Sequence, residues 1–190
     1  MKEILITQFK SFTFKQDIEE AHALAQSSFY TPAFLRRWQI VEVISRELMI
    51  NMSACSAAKE TSEKLFRVLK KQNIDISKNN LNTNMQNILI SSARDRIESH
   101  FKYIDVCQVE KALKCLEVEY DSHKLTYLLA TKVKEQVSGA PIKKTIREQR
   151  NDIIHKNLSI DQKRHDELIP FFDHFFDIIT QVIEKASQAR

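Results

Sequence analysis

Only one glycine, Gly139, occurs among the 190 residues of this chain. A protein of this length averages about 13 glycines. Because glycine supplies the unusual backbone angles of tight turns, the repeated turns of a β-sandwich or barrel and the glycine-rich loops that bind phosphate are both excluded. Hydrophobic residues make up 43% of the chain, which is enough for a core without disulfides or metals. The sequence therefore predicts a single helical domain over residues 1–190.

Apolar residues recur at helical spacing along most of the chain. A long helix is predicted behind Thr31-Pro32, which supplies a capping hydroxyl and then a proline at the first helical position. A further helix follows a second capping candidate at Thr61. The main apolar rows are Phe34, Trp38, Val41, Leu48 and Met52; Met85, Leu89, Ala93, Ile97 and Phe101; and Leu125, Leu129, Val133 and Val137. These rows predict an all-α, up-and-down bundle of about six to eight helices.

The clearest helix boundary is residues 138–141, where Gly139 closes one helix and Pro141 opens the next. The last helix is predicted to begin around Pro170. Its apolar face is wide enough to contact either two helices of its own bundle or one helix and a second subunit. The face contains Phe171, Phe172, Phe175, Phe176, Ile178, Ile179, Val182 and Ile183.

The three cysteines, Cys55, Cys107 and Cys115, are odd in number and form no CxxC pair. This pattern favours reduced thiols over a disulfide framework or a zinc site. The first ten residues lack the apolar region of a signal sequence, and charges interrupt every apolar stretch before about 18 residues. The sequence therefore predicts a cytoplasmic protein without a membrane segment.

Residues 141–165 are strongly basic. They hold seven Lys and Arg against three Asp and Glu, so this segment alone matches the net charge of +4. A local excess of positive charge is expected of a surface that contacts phosphate, and the other interpretation is a solvated helix face.

Within the basic segment lies the sequence RNDIIH, residues 150–155. On a helical wheel of about 100° per residue, Asn151 and His155 are neighbours on the exposed side, with Arg147 beside them. Arg150 falls on the flank of that side. There we expect its side chain to pack against the protein and to point at a specific partner, in contrast to a solvated arginine.

An arginine, an amide and a histidine on one surface suit the cleavage of a phosphodiester. The planar fork of arginine binds two phosphate oxygens and stabilises the charge that develops at phosphorus, while histidine moves protons near neutral pH. With the RNA 2′-hydroxyl as the nucleophile, neither a metal nor an enzyme nucleophile is required. The sequence offers no dense carboxylate cluster for magnesium and no spaced Cys/His set for zinc, so no metal or cofactor is predicted.

At Arg150, Asn151 and His155 the sequence resembles the HEPN superfamily of helical-bundle proteins. Its shared signature is an arginine, a polar residue that is often asparagine, and a histidine after four to six intervening residues. Here four residues separate the arginine from the histidine, and an apolar pair precedes the histidine, as is common in the superfamily. The resemblance covers this hexapeptide closely and extends only loosely to an all-helical chain with the motif in its last third.

The resemblance implies a metal-independent endoribonuclease that acts as a homodimer, in which two facing motifs build one composite cleft. Its products would carry 2′,3′-cyclic phosphate ends. Members commonly serve in toxin–antitoxin, abortive-infection and other antiviral systems, so an antitoxin protein is a further expected partner beside RNA.

In these terms Arg150 would bind and stabilise the scissile phosphate, and His155 would act as general acid or base. Asn151 would orient the phosphate or the histidine. Further basic residues would extend the phosphate-binding surface. They are Lys143, Lys144, Arg147 and Lys156.

A second arginine and histidine within the four-to-six-residue range of the signature are Arg94 and His100, which five residues separate. Because His100 falls inside an apolar row, the sequence favours a core histidine there. Among the other histidines, His165 is expected in a surface loop and His174 on the polar face of the last helix.

Two other classes of function stay open at this point. In a catalytically silent helical protein, the Phe-rich last helix would be the interaction surface, and Phe175→Asp or Phe176→Asp would disrupt its assembly. The other class is a helical DNA-binding regulator. Positive charge is the one feature that favours it, and the sequence shows no short helix-turn-helix with its usual glycine.

Overall fold

The structure of the chain, a computed structural model, describes residues 14–72, 83–99, 101, 103–132 and 144–188. Within these ranges the chain forms seven α-helices and no strand. They are α1 (Lys15–Gln26), α2 (Tyr30–Lys71), α3 (Thr83–Glu98), α4 (Val106–Cys115), α5 (Ser122–Leu129), α6 (Ile146–Lys156) and α7 (Gln162–Gln188). The predicted all-α bundle of six to eight helices is confirmed.

Several sequence predictions concern positions outside the described residues. These positions are the boundary at Gly139 and Pro141, the apolar pair Val133 and Val137, and the side chains of Lys143 and His100. Within the described ranges, no helix combines the length and the apolar character needed to cross a membrane.

Helix α2 is the central element of the bundle. It contacts α1, α3, α4 and α7, while α5 contacts α4, α6 and α7. Buried apolar side chains from α2 to α7 form one contiguous core. Its largest fully buried members include Phe34, Ile44, Leu48, Leu113, Leu125, Phe172 and Phe175.

The sequence predicted a new helix at Thr61, and the structure shows instead one helix of 42 residues, about 63 Å long. The Thr61 hydroxyl donates to the carbonyl of Ala57 at 2.9 Å. Because this bond satisfies the hydroxyl inside the helix, Thr61 has no capping role. The ion pair between Lys64 and Glu60 at 2.6 Å spans the same turn.

The predicted cap at Thr31 is also wrong. Helix α2 begins at Tyr30, so Thr31 lies inside its first turn. The Thr31 hydroxyl accepts a hydrogen bond from the backbone N–H of Ile160 at 2.8 Å and thereby joins the start of α2 to the segment before α7. Pro32 is tolerated there because a first-turn N–H has no partner within the helix.

Helix α7 begins eight residues before Pro170, where the sequence had placed its start. Asp161 supplies the start signal, because its side chain accepts a hydrogen bond from the backbone N–H of Arg164 at 2.8 Å. Pro170 therefore lies inside the helix. An interior proline costs about 3 kcal/mol, and the burial of the Phe-rich face beyond it offsets that cost.

The Phe-rich face of α7 packs against two helices of its own bundle, α2 and α5. Phe172 and Phe175 are fully buried in the core of the chain. Phe175→Asp would therefore test folding, whereas the partly buried Phe176 lies nearer the surface.

Helix α5 ends at Leu129, earlier than its apolar row suggested. Ala130 follows in an extended conformation, with ψ of 148°. The same short helix starts from Asp121, whose carboxylate accepts hydrogen bonds from the backbone N–H groups of His123 and Lys124. The Asp121 N–H in turn donates to Nε2 of His174 at 2.9 Å, so this histidine joins α7 to the start of α5.

His165 is buried in the first turns of α7, which corrects the expectation of a surface loop. The fully buried guanidinium of Arg37 donates to Nε2 of His165 at 3.1 Å. Since Nε2 accepts this bond, Nδ1 carries the proton and donates to Asp166 at 3.1 Å. Burial lowers the pKa of Arg37. Nε2 of His165 accepts a hydrogen bond from this buried guanidinium, and the apolar pattern of α2 does not reveal the pair.

Candidate active site

Helix α6 carries the RNDIIH motif, and both of its ends are fixed. Thr145 and Glu148 form a capping box, with bonds of 3.1 Å from the Glu148 N–H and 2.8 Å from the Thr145 N–H. The Thr145 hydroxyl also donates to the carbonyl of Ala130 at 2.8 Å, which attaches the start of α6 to the end of α5. Asn157 ends the helix in the left-handed conformation, with φ of 51°, two residues after His155.

The buried side of α6 is formed by Ile146 and Ile153. Because these two side chains fix the rotation of the helix, Asn151 and His155 are left on its exposed side. This orientation agrees with the helical-wheel prediction.

Four polar residues of α6 meet at one open pocket of about 290 Å³. From α6 come Arg147, Arg150, Asn151 and His155. Helix α2 and the segment before α4 provide the other side, through Trp38, Glu42, Tyr103 and Ile104. The three residues predicted to be catalytic thus line the same pocket.

Arg150 is held in place by two side chains. Its Nη1 donates to Oδ1 of Asn151 at 3.1 Å, and its Nη2 lies 3.4 Å from Oε2 of Glu42. The side chain is 27% exposed, which agrees with the expectation that Arg150 packs against the protein and points at specific partners. Its Nε is buried and has no hydrogen-bond acceptor among the described residues.

A second buried donor belongs to the same pocket lining. Nε1 of Trp38 also has no hydrogen-bond acceptor among the described residues. An unpaired buried donor costs about 1–3 kcal/mol. Both atoms are buried, so either one could donate to a ligand in the pocket only after its side chain moved.

His155 is exposed, and no described residue forms a hydrogen bond with its imidazole. The ring is therefore accessible to a ligand from the pocket. Asn151 is exposed as well, and its carbonyl oxygen is the group that accepts from Arg150. This bond directs the Asn151 oxygen towards the arginine.

Arg147 lines the pocket, but its guanidinium is occupied by backbone carbonyls. Nη1 donates to the carbonyl of Ile104 at 2.8 Å and to that of Leu129 at 3.3 Å. Burial lowers the pKa of Arg147. Arg147 therefore joins α6 to two neighbouring segments of the chain, and it also lines the pocket.

Lys144, which precedes α6, and Lys156, the last residue of α6, both bind Asp152. The Lys144 ammonium donates to one carboxylate oxygen, and Nζ of Lys156 lies 2.7 Å from the other. Hydrogen bonds from Lys144 and then Lys156 hold the pKa of Asp152 below its ordinary value. Both lysines remain more than half exposed, so phosphate would have to compete with Asp152 for them.

Sequence reasoning did not find Glu42, Trp38 and Tyr103. Glu42 precedes Arg150 by 108 residues, and no local pattern links the two. The sequence pattern indicates Trp38 only as a member of an apolar row of α2. Tyr103 lies between two helices in a segment without a motif.

The second match to the motif spacing belongs to the packing of α3 on α2. Arg94 donates to both carboxylate oxygens of Glu47, at 2.9 and 2.8 Å, and to Oδ1 of the buried Asn51 at 2.8 Å. These bonds occupy the guanidinium and favour a structural arginine. Its partner in the spacing, His100, lies outside the described residues.

Among the described residues, no group of three His, Cys, Asp or Glu side chains is placed to hold a metal ion. No protein-family model, curated protein or solved structure matches the chain. The features that bear on function are the geometry of the pocket and the resemblance at residues 150–155.

Proposed function

We propose that this protein is a HEPN-type endoribonuclease that acts in the cytoplasm. The observation that carries the proposal is the pocket in which Arg150, Asn151 and His155 meet. The resemblance, the residue chemistry and the basic setting all point to these three residues, and their common place in the pocket lining supports the proposal. The unpaired Nε of Arg150 offers a further donor for a phosphate oxygen if the side chain adjusts on binding.

In the proposed reaction the RNA 2′-oxygen attacks the adjacent phosphorus. A base removes the 2′-hydroxyl proton as the new P–O bond forms, the bond from phosphorus to the 5′-oxygen breaks, and an acid protonates the leaving 5′-oxygen. The products are a 2′,3′-cyclic phosphate and a 5′-hydroxyl. Arg150 would stabilise the extra negative charge on the phosphate oxygens in the transition state.

The single histidine in the lining of this pocket, His155, supplies only one of the two proton transfers at a time. A homodimer in which two motifs face each other would bring two His155 side chains to the same phosphate, one as base and one as acid. This is the composite cleft that the resemblance implies. The need for both a base and an acid is thus a chemical reason for the proposed dimer.

Glu42 sets a condition on substrate binding. Its carboxylate contacts Arg150, so a phosphate entering the pocket must share or replace that contact. At 3.4 Å, and with both side chains about one-third exposed, the pair is weak enough to be exchanged.

The proposed biological setting is a toxin–antitoxin or other antiviral system, with RNA as the substrate. An antitoxin protein is the proposed partner that restrains the enzyme. Both parts of this setting rest on the resemblance to the superfamily.

The test is cleavage of end-labelled total tRNA and of a model mRNA by the purified protein in EDTA. We expect cleavage by the parent protein with 2′,3′-cyclic phosphate ends, identified by mass spectrometry. Arg150→Ala and His155→Ala should each reduce the rate by at least about 100-fold, the usual share of a general acid or base. Their circular dichroism and sedimentation should match those of the parent.

His123→Ala is the matched control, because His123 is exposed and does not line the pocket. Its cleavage rate should equal that of the parent. Retained cleavage in His155→Ala would refute the assignment of the site. The absence of cleavage by every protein would favour the second candidate.

The second candidate is a catalytically silent helical protein that self-associates or binds RNA. An apolar groove of about 330 Å³ between α1, α2 and α7 favours it. The groove is lined by Phe14, Lys15, Ile18, Ile44, Phe176, Ile179, Thr180 and Ile183. For this candidate, Phe176→Asp should lower the sedimentation coefficient while the parent protein cleaves no RNA.

A further inference from the structure

Tyr103 is unusually exposed for a large side chain with an apolar ring. It is 76% accessible to solvent, more than any other large hydrophobic side chain in the described ranges. A single exposed aromatic residue is unremarkable by itself. Tyr103, however, also lines the pocket that contains Arg150, Asn151 and His155.

The backbone that carries Tyr103 is held firmly against the site. The next residue, Ile104, is buried, and its carbonyl accepts the 2.8 Å bond from Arg147. Asp105 then caps α4 by accepting from the N–H of Cys107 at 2.9 Å, and its own N–H lies 3.3 Å from the sulfur of Met49. The exposed ring is therefore presented from an anchored segment.

The hydrogen bond from Arg147 to the carbonyl of Ile104 also affects the pocket. It joins the motif helix to the residue directly after Tyr103, and so holds the backbone next to Tyr103 beside the pocket. A solvent-facing aromatic ring beside a cationic pocket is the combination that binds single-stranded nucleic acid, in which bases stack while cations bind the backbone.

We propose that Tyr103 is a stacking platform for an unpaired base next to the phosphate held by Arg150. The substrate class is then RNA that is single-stranded at the cut, because the bases of a duplex are already stacked on each other. This inference rests on the proposed function and deepens it. Tyr103 is a positioning residue and takes no part in proton transfer.

The test measures binding without cleavage. The probe is a 2′-O-methyl oligoribonucleotide of about 12 nucleotides that contains 2-aminopurine, because the blocked 2′-oxygen cannot attack phosphorus. Stacking quenches the fluorescence of 2-aminopurine. A fully paired hairpin of the same chemistry serves as the duplex comparison.

We expect the parent protein to prefer the single strand and to quench the probe. Tyr103→Ala should weaken single-strand binding about tenfold and abolish the quenching, whereas Tyr103→Phe should keep both. Tyr103→Leu retains an apolar side chain without a ring and should behave like the alanine variant. The salt dependence of binding should stay unchanged, because the phosphate contacts are intact.

Phe29→Ala is the matched control, because Phe29 is an aromatic residue that is 57% exposed and absent from the pocket lining. It should bind like the parent. If Tyr103→Ala also binds and quenches like the parent, the stacking role is wrong while the ribonuclease proposal stands. If Tyr103→Ala changes the sedimentation coefficient, the ring belongs to a subunit contact and the inference is overturned. If the parent binds no RNA and cleaves none, both proposals fail.

Discussion

Nη2 of Arg150 lies 3.4 Å from Oε2 of Glu42, and this contact joins the motif helix α6 to the central helix α2. The pair gives Arg150 a definite direction, because its other end is bound to the neighbouring Asn151. It also places a carboxylate at the position where the proposed phosphate would bind. Glu42 therefore orients the arginine and opposes an anionic ligand at the same time.

Glu42→Gln separates these two effects. Glutamine can still accept a hydrogen bond from Arg150, but it removes the negative charge that repels phosphate. We expect the variant to bind the 2′-O-methyl oligoribonucleotide about threefold more tightly at low salt. Fluorescence anisotropy measures the change.

The control for this variant is Glu63→Gln, an exposed position on the same helix about 30 Å from Glu42. It removes the same charge away from the pocket and should bind like the parent. Equal gains in both variants would show that net charge, and not the local carboxylate, governs binding.

Asp152→Asn should make Lys144 and Lys156 available to RNA. Asp152 now binds both ammonium groups, and the loss of its charge removes that competition. We expect tighter binding at low salt and an increase of about one in the slope of log affinity against log salt. Asp177→Asn, an exposed change of equal charge on α7, should leave the slope unaltered.

The same variant has a pH signature in stability. Since the pKa of Asp152 is lowered in the folded protein, its ion pairs stabilise the fold above the ordinary pKa of the group. That contribution disappears as the pH falls through the lower, folded pKa. The Tm of the parent should therefore exceed that of Asp152→Asn near neutral pH, and the two should converge in strong acid.

Arg94→Ala should destabilise the fold without affecting cleavage. It would leave Glu47, which is only 16% exposed, without its cation and the buried Asn51 without its donor. We expect a loss of about 2 kcal/mol in the free energy of unfolding by urea. Arg96→Ala, on an exposed part of the same helix, should change stability by less than about 0.5 kcal/mol.

The cleavage rate per folded molecule should be the same in Arg94→Ala as in the parent. A large loss of cleavage at unchanged stability would instead make Arg94 part of the active site.

The cysteines should differ strongly in reactivity. Burial raises the pKa of Cys55 to about 11, so at pH 8 only about one thiol in a thousand is ionised. Cys107 is exposed on α4. Iodoacetamide should modify Cys107 in the native protein and Cys55 only after unfolding, as read by peptide mass spectrometry. Native modification of Cys55 at the rate of Cys107 would contradict its burial.

The fold class was predictable because helical periodicity is a local property. Apolar spacing identified helices within α2, α3 and α5 and the Phe-rich part of α7, although it divided α2 at Thr61. The ends were less predictable: Thr31 and Thr61 resemble caps in sequence, but one bonds a distant N–H and the other a carbonyl of its own helix. A hydroxyl has several possible partners, and tertiary packing selects among them.

The sequence by itself determined that the chain is helical and that Asn151 and His155 share one side of a helix with Arg150 on its flank, because spacing along a helix sets angular position. Only the tertiary structure decided what faces them. Glu42 and Tyr103 come from segments far away in the chain, and their arrival at the same pocket follows from the packing of α6 against its neighbours. The buried Arg37–His165 pair has the same origin, since its partners are 128 residues apart. Contacts of this kind depend on burial and long-range geometry, which a local pattern of residues does not encode.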